Sequence, residues 1–193
     1  MFPCENKTLM LSYSPLQSII IDDTNDESGM IQQMSVDCPS DIITFIRLGR
    51  PSISKLKLIN TILSDTSHET FFNKNCPLGK TNRCVSNGLI EVAWYIPSGK
   101  AKNFPNVTMV LNLRGDCKDH QPQLDFLSAI SSVVVVFLEL ETLDDQKAVQ
   151  MLSVLHNSGP SGIILAIDAL KHDMLTLGRL CTEYYASARQ LLG

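Results

Sequence analysis

Ile42-Ile43-Thr44-Phe45-Ile46-Arg47-Leu48, followed at once by Gly49-Arg50-Pro51-Ser52-Ile53-Ser54-Lys55, is the stretch on which the fold turns. The first seven residues form a compact apolar run of strand length. Beyond the glycine, Leu56, Ile59 and Leu63 recur at helical spacing, with Leu58 and Ile62 adding to that face, which predicts a helix from about Ser54. A strand, a glycine loop and a helix are the parts of a phosphate loop, whose full form is G-x-x-x-x-G-K-[ST]. Its backbone N–H groups surround phosphates, its lysine pairs with their charge, and its hydroxyl binds magnesium. In that frame Gly49 and Lys55 are kept, Ser54 replaces the second glycine, and Leu56 replaces the hydroxyl. Pro51 removes one backbone donor. Lys55 is then either a phosphate-binding cation or, with Lys57, a surface lysine on an amphipathic helix.

The same alternation continues down the chain. Leu89 to Ile96 and Val107 to Leu113 read as strands separated by the turn-rich Pro97 to Pro105, and a helix is expected near Gln121 to Ile130. Val133 to Leu138 has the β-branched density of a strand buried on both faces. Ala148, Met151, Leu152 and Leu155 line one side of a helix expected from about Asp144 to His156. Gly162 to Ile167 reads as another buried strand, and a last helix is expected from about Asp173 to Leu192. Strands alternating with helices predict an α/β fold, a mostly parallel sheet covered on both faces. The hairpin-like pair around Pro97 to Pro105 adds one antiparallel edge strand. Ahead of this unit, residues 1 to 40 form a lead-in segment, with short strands at Thr8 to Tyr13 and Ser18 to Ile21. The acidic stretch from Asp22 to Gly29 within it reads as an exposed loop, because its spacing misses that of a calcium loop.

Bulk properties narrow the function. With 44% hydrophobic and 19% charged residues over 193 positions, the chain suits one folded core rather than disorder. A net charge of -4 leaves no basic footprint for nucleic acid, and no apolar run reaches bilayer length. The amino terminus lacks signal-peptide features, and the six scattered cysteines fit free thiols of the cytosol.

In open parallel sheets, ligands bind at the carboxyl ends of strands, and the first such end is Leu48-Gly49. The other nucleotide-site signals are altered in turn. Asn112-Leu113-Arg114-Gly115 stands where D-x-x-G places an aspartate for a metal-bound water and a glycine N–H for the γ-phosphate. Asn112 accepts hydrogen bonds but brings no charge. Asp116 follows, where a water-orienting residue sits in related sites; it either orients water, although beside a γ-phosphate its carboxylate repels, or is a surface-loop aspartate. Thr81 lies where a switch threonine contacts magnesium, and Asp168 either reads a guanine edge or caps the next turn or helix.

Taken together, Leu48-Gly49, Ser54-Lys55, Lys57 to Asn60, Asn112 to Asp116, Gly88 to Tyr95 and the run from Ser131 resemble the G domain of the very large interferon-inducible GTPase type. That family includes the up-regulator of cell proliferation and a relative carrying a caspase-recruitment domain. The likeness covers about residues 40 to 170. It implies a P-loop G-domain-like three-layer sandwich over residues 41–193, with GTP or GDP held by Gly49, Ser54, Lys55, Thr81, Asn112 and Gly115. It also implies residence in the cytoplasm and nucleus, protein partners in innate-immune or proliferation signalling, and self-association through the nucleotide face. Leu56, where the family has serine, argues against magnesium. The pattern stops after the helix that follows the fifth strand, so the last strand and helix of a complete G domain are not expected. Two functions follow: an interaction module whose nucleotide chemistry has faded, or a slow switch whose hydrolysis depends on self-association.

Overall fold

The computed structural model describes residues 18–22, 30–34, 37, 39–63, 70–71, 87–96, 104–157 and 159–168. Their order is β1 (Ser18–Asp22), β2 (Met30–Met34), β3 (Asp41–Leu48), α1 (Lys55–Leu63), β4 (Ile90–Tyr95), β5 (Thr108–Leu113), α2 (Gln121–Ile130), β6 (Val133–Glu139), α3 (Gln146–Asn157) and β7 (Gly162–Asp168). The strand expected at Thr8 to Tyr13, Thr81 and the last helix lie outside the described residues.

Five strands make one sheet in the order β4-β5-β3-β6-β7, parallel except for the antiparallel pair β4 and β5. This is the expected α/β sheet with its antiparallel edge. β3 is central, and its alternating side chains feed two cores. Ile46 and Leu48 face α2 and α3, joining Val134, Val136, Leu127 and Leu152; Phe45 faces α1 and packs with Ile59, Val110 and Phe137. Three layers result. The four α3 residues named from the spacing, Ala148, Met151, Leu152 and Leu155, are all buried.

Two expectations are corrected, and one strand is added. Leu58 stands exposed, because the buried face of α1 runs through Lys55, Ile59 and Asn60 instead. β7 is half-buried, with Ile164 exposed, as suits the outermost described strand of its sheet. Met30–Met34 forms a strand that the sequence pattern conceals. Its glutamine pair breaks the period-two alternation, but its backbone pairs antiparallel with β1 from Ser18↔Met34 to Asp22↔Met30.

Asn60 ties α1 to the segment beyond it. Its Oδ1 accepts the Phe71 N–H at 2.8 Å, and its Nδ2 donates to the Phe71 carbonyl at 2.6 Å, both buried. Asn60→Ala strips partners from two buried backbone groups, an expected loss of roughly 2–4 kcal/mol. Urea unfolding checks this, and a midpoint that does not move contradicts it.

Candidate functional site

The carboxyl ends of β3, β5, β6 and β7 meet around the loop that leaves β3. Leu48 pairs with Leu138 in the ladder, so Gly49 leaves β3 level with Glu139, and Glu139 in turn pairs with Asp168. Gly49 has φ +81°, a left-handed conformation open to glycine. A Cβ there would also lie 2.5 Å from the Thr142 hydroxyl. The chain therefore turns sharply off the strand, and its amides point across the sheet ends.

Those amides meet carboxylates. Gly49 N–H donates to Asp116 Oδ2 at 3.0 Å, and Arg50 N–H donates to Glu139 Oε1 at 3.3 Å. Ser52 donates twice to Asp168 Oδ2, from its N–H at 2.6 Å and from its hydroxyl. Hydrogen bonds to ionised acceptors are roughly twice as strong as neutral ones. Asp116 is itself held, since its Oδ1 accepts the Lys118 N–H at 3.0 Å and so caps the short 3-10 turn Cys117–Asp119. Lys118 in turn pairs with Asp145 at 3.1 Å, a contact that raises the lysine pKa and lowers that of the aspartate.

Ser54 begins α1. Its carbonyl accepts the Leu58 N–H at 3.1 Å, and its hydroxyl accepts that of Lys57 at 3.4 Å. Lys55 is not the surface lysine that its spacing allowed; only Lys57 is exposed. The Lys55 ammonium enters the sheet and donates to the Leu113 carbonyl and, at 3.5 Å, to that of Phe45. Burial, followed by the nearby Arg47 guanidinium, pulls its pKa from 10.5 down to about 7. Burial also pushes the Cys117 thiol up to about 12.

Asn112 is fully buried on β5. Its Nδ2 donates to Glu91 Oε2 at 2.5 Å, and Glu91 also pairs with Arg114 at 3.1 Å. Asn112 Oδ1 and Arg47 Nε are buried without a hydrogen-bond partner among the described residues. Gly115 has φ +88°, and a Cβ on it would meet Asn87 at 2.9 Å. Gly49, Ser54, Lys55, Asn112 and Gly115 thus gather at one end of the sheet. Glu91, Glu139 and Arg47 join them without having been anticipated. The readable signal for Glu139 was a carboxylate closing an apolar strand next to another, Asp168; Glu91 and Arg47, lying inside strands, gave none.

Lys55 tests its own environment. In the folded chain it binds its proton below about pH 7, while the unfolded chain holds that proton to about 10.5. Between those values the unfolded state binds more protons, so wild-type stability rises with pH relative to Lys55→Met. The expected rise is roughly 2 kcal/mol from pH 7 to pH 9, below the range where Cys117 acts in the opposite sense. Urea unfolding of both proteins at these pH values measures it, and a difference that stays flat contradicts the buried amine.

A family model described as an up-regulator of cell proliferation-like domain matches residues 1–190. Interferon-induced very large GTPase 1 of Homo sapiens is 35% identical over 101 residues, which are 51% of this chain and 4% of that protein. Up-regulator of cell proliferation of Mus musculus is 36% identical over 99 residues, 49% of this chain and 11% of that protein. Caspase recruitment domain-containing protein 6 of Homo sapiens is 33% identical over 105 residues, 51% of this chain and 10% of that protein. The chain thus spans between 4% and 11% of the length of these relatives. No solved structure gives a significant match.

Proposed function

Because the chain belongs to the up-regulator of cell proliferation-like domain family, we propose that it is a G domain whose nucleotide site has faded and which acts as an interaction module. The observation that carries this reading is the state of the loop donors. The N–H groups of Gly49, Arg50 and Ser52 rest on Asp116, Glu139 and Asp168. A magnesium nucleotide does not fit that arrangement. Its phosphates need the donors the carboxylates hold, and three carboxylates around a polyphosphate repel it. Leu56 brings no hydroxyl for the metal, and Lys55 rests on carbonyls.

The names of the relatives, an interferon-induced GTPase, an up-regulator of cell proliferation and a caspase recruitment domain protein, support a role in interferon-responsive or proliferation signalling. The second reading, a slow GTP-binding switch helped by self-association, is favoured by one atom. Asn112 Oδ1 is a buried acceptor with no partner among the described residues, and a metal-bound water is a donor suited to it.

Fluorescent GTP and GDP, titrated with and without magnesium, separate the two. The faded site is expected to bind on the order of 100 µM or weaker, about -5.5 kcal/mol, with no response to the metal. Leu56→Ser is expected to raise affinity only when magnesium is present. Tight magnesium-dependent binding by the wild type, abolished by Lys55→Ala, contradicts the faded-site reading and establishes the switch.

A further inference from the structure

We propose that Asp116, Glu139 and Asp168 form an autoinhibitory latch on the Gly49–Lys55 loop, in which the chain's own carboxylates hold the donors that an incoming phosphate would need. The proposal rests on reading the domain as a faded nucleotide site, and it specifies what keeps that site shut. The defect at Leu56 concerns the metal. The latch concerns the phosphates, and it is a separate obstacle.

Three features of the geometry carry it. The first is convergence. Asp116 lies in the turn after β5, Glu139 ends β6 and Asp168 ends β7, yet all three reach the same four-residue stretch of loop. The second is charge. Glu139 and Asp168 are ladder partners, and like charges directly opposite each other destabilise a sheet. The loop donors offset that repulsion, so loop and carboxylates hold each other in place. Asp168 is the strongest member, because one oxygen takes both the N–H and the hydroxyl of Ser52, and the residue is buried.

The third feature is the separation of the cation. Lys55 forms an ion pair with none of the three carboxylates; its ammonium sits on the Leu113 and Phe45 carbonyls. A lysine serving only to neutralise the acidic ring would reach into it. Here Lys55 rests on carbonyls while the three carboxylates take donors of the loop. Opening the latch frees donors for an anionic ligand of the phosphate class without requiring any change in the sheet.

Neutralising the latch tests this. Asp168→Asn and Asp116→Asn keep shape and remove charge, and Asp125→Asn is the charge-matched control, since Asp125 is exposed on α2, far from the loop in sequence, and its carboxylate accepts the Gln121 side-chain amide. Inorganic triphosphate and fluorescent GTP are titrated into the 193-residue chain of each variant, and the Ser52 amide shift is followed by NMR. The expected result is roughly ten-fold tighter triphosphate binding by each latch variant, with Asp125→Asn unchanged, the scale of one lost charge-assisted hydrogen bond. In Asp168→Asn the Ser52 amide signal is expected to move. Glu139→Gln, at a partly exposed position, is expected to give a smaller gain and decides the matter should the Asp168 and Asp116 variants not fold. Folded latch variants that bind no more tightly than Asp125→Asn overturn the latch. The two ideas fail separately. Tight wild-type binding that grows tighter still in Asp168→Asn sinks the faded-site reading and keeps the latch. Weak wild-type binding with unresponsive variants does the reverse.

Discussion

The buried Gly49 N–H at the end of the central strand must find an acceptor, and it, like the N–H groups of Arg50 and Ser52 beyond it, meets a carboxylate. β3 is walled by β5 and β6 and covered by helices on both faces, so the core fixes where the loop leaves the sheet. Gly49, with its positive φ and no room for a Cβ beneath Thr142, fixes the direction of that exit. The two proposed readings differ in the anion they place in front of Gly49, Arg50 and Ser52: a phosphate in the switch, the chain's own carboxylates in the interaction module.

Lys55 shows the same constraint from the cationic side. A buried ammonium without an anion is costly, and the chain answers by lowering its pKa until the neutral amine is accessible near physiological pH. The carbonyls of Leu113 and Phe45 accept its protons in either state. Lysine is therefore accommodated here by backbone carbonyls. Its retention in the sequence is a weaker sign of nucleotide chemistry than the motif alone implies, and its surroundings are the stronger one.

Much of the architecture was legible in the residues. Val133 to Leu138 announced a doubly buried strand through β-branching, and the spacing of Ala148, Met151, Leu152 and Leu155 announced the face of α3. Both are local signals. Met30–Met34 was hidden because its strand character comes from pairing with β1 rather than from its own alternation. The candidate residues could be named from the sequence, but their contacts could not. Gly49, Lys55, Asn112 and Gly115 could be named from a frame of spacings, whereas the bonds from the loop to Asp116, Glu139 and Asp168 span 67, 89 and 116 residues. Nothing local encodes such bonds; they follow from strand order and register, which bring β5, β6 and β7 to the same end of the sheet as β3.

The account stands or falls on whether the loop donors are held by the chain's own carboxylates. A scalar coupling carried through the hydrogen bond, measured by NMR between the Ser52 amide nitrogen and the Asp168 side-chain carboxyl carbon in isotope-labelled protein, reads that contact directly. A resolved coupling, with a Ser52 amide protected from exchange, is the result expected. An absent coupling, with a Ser52 amide exchanging as freely as an unbonded one, contradicts it.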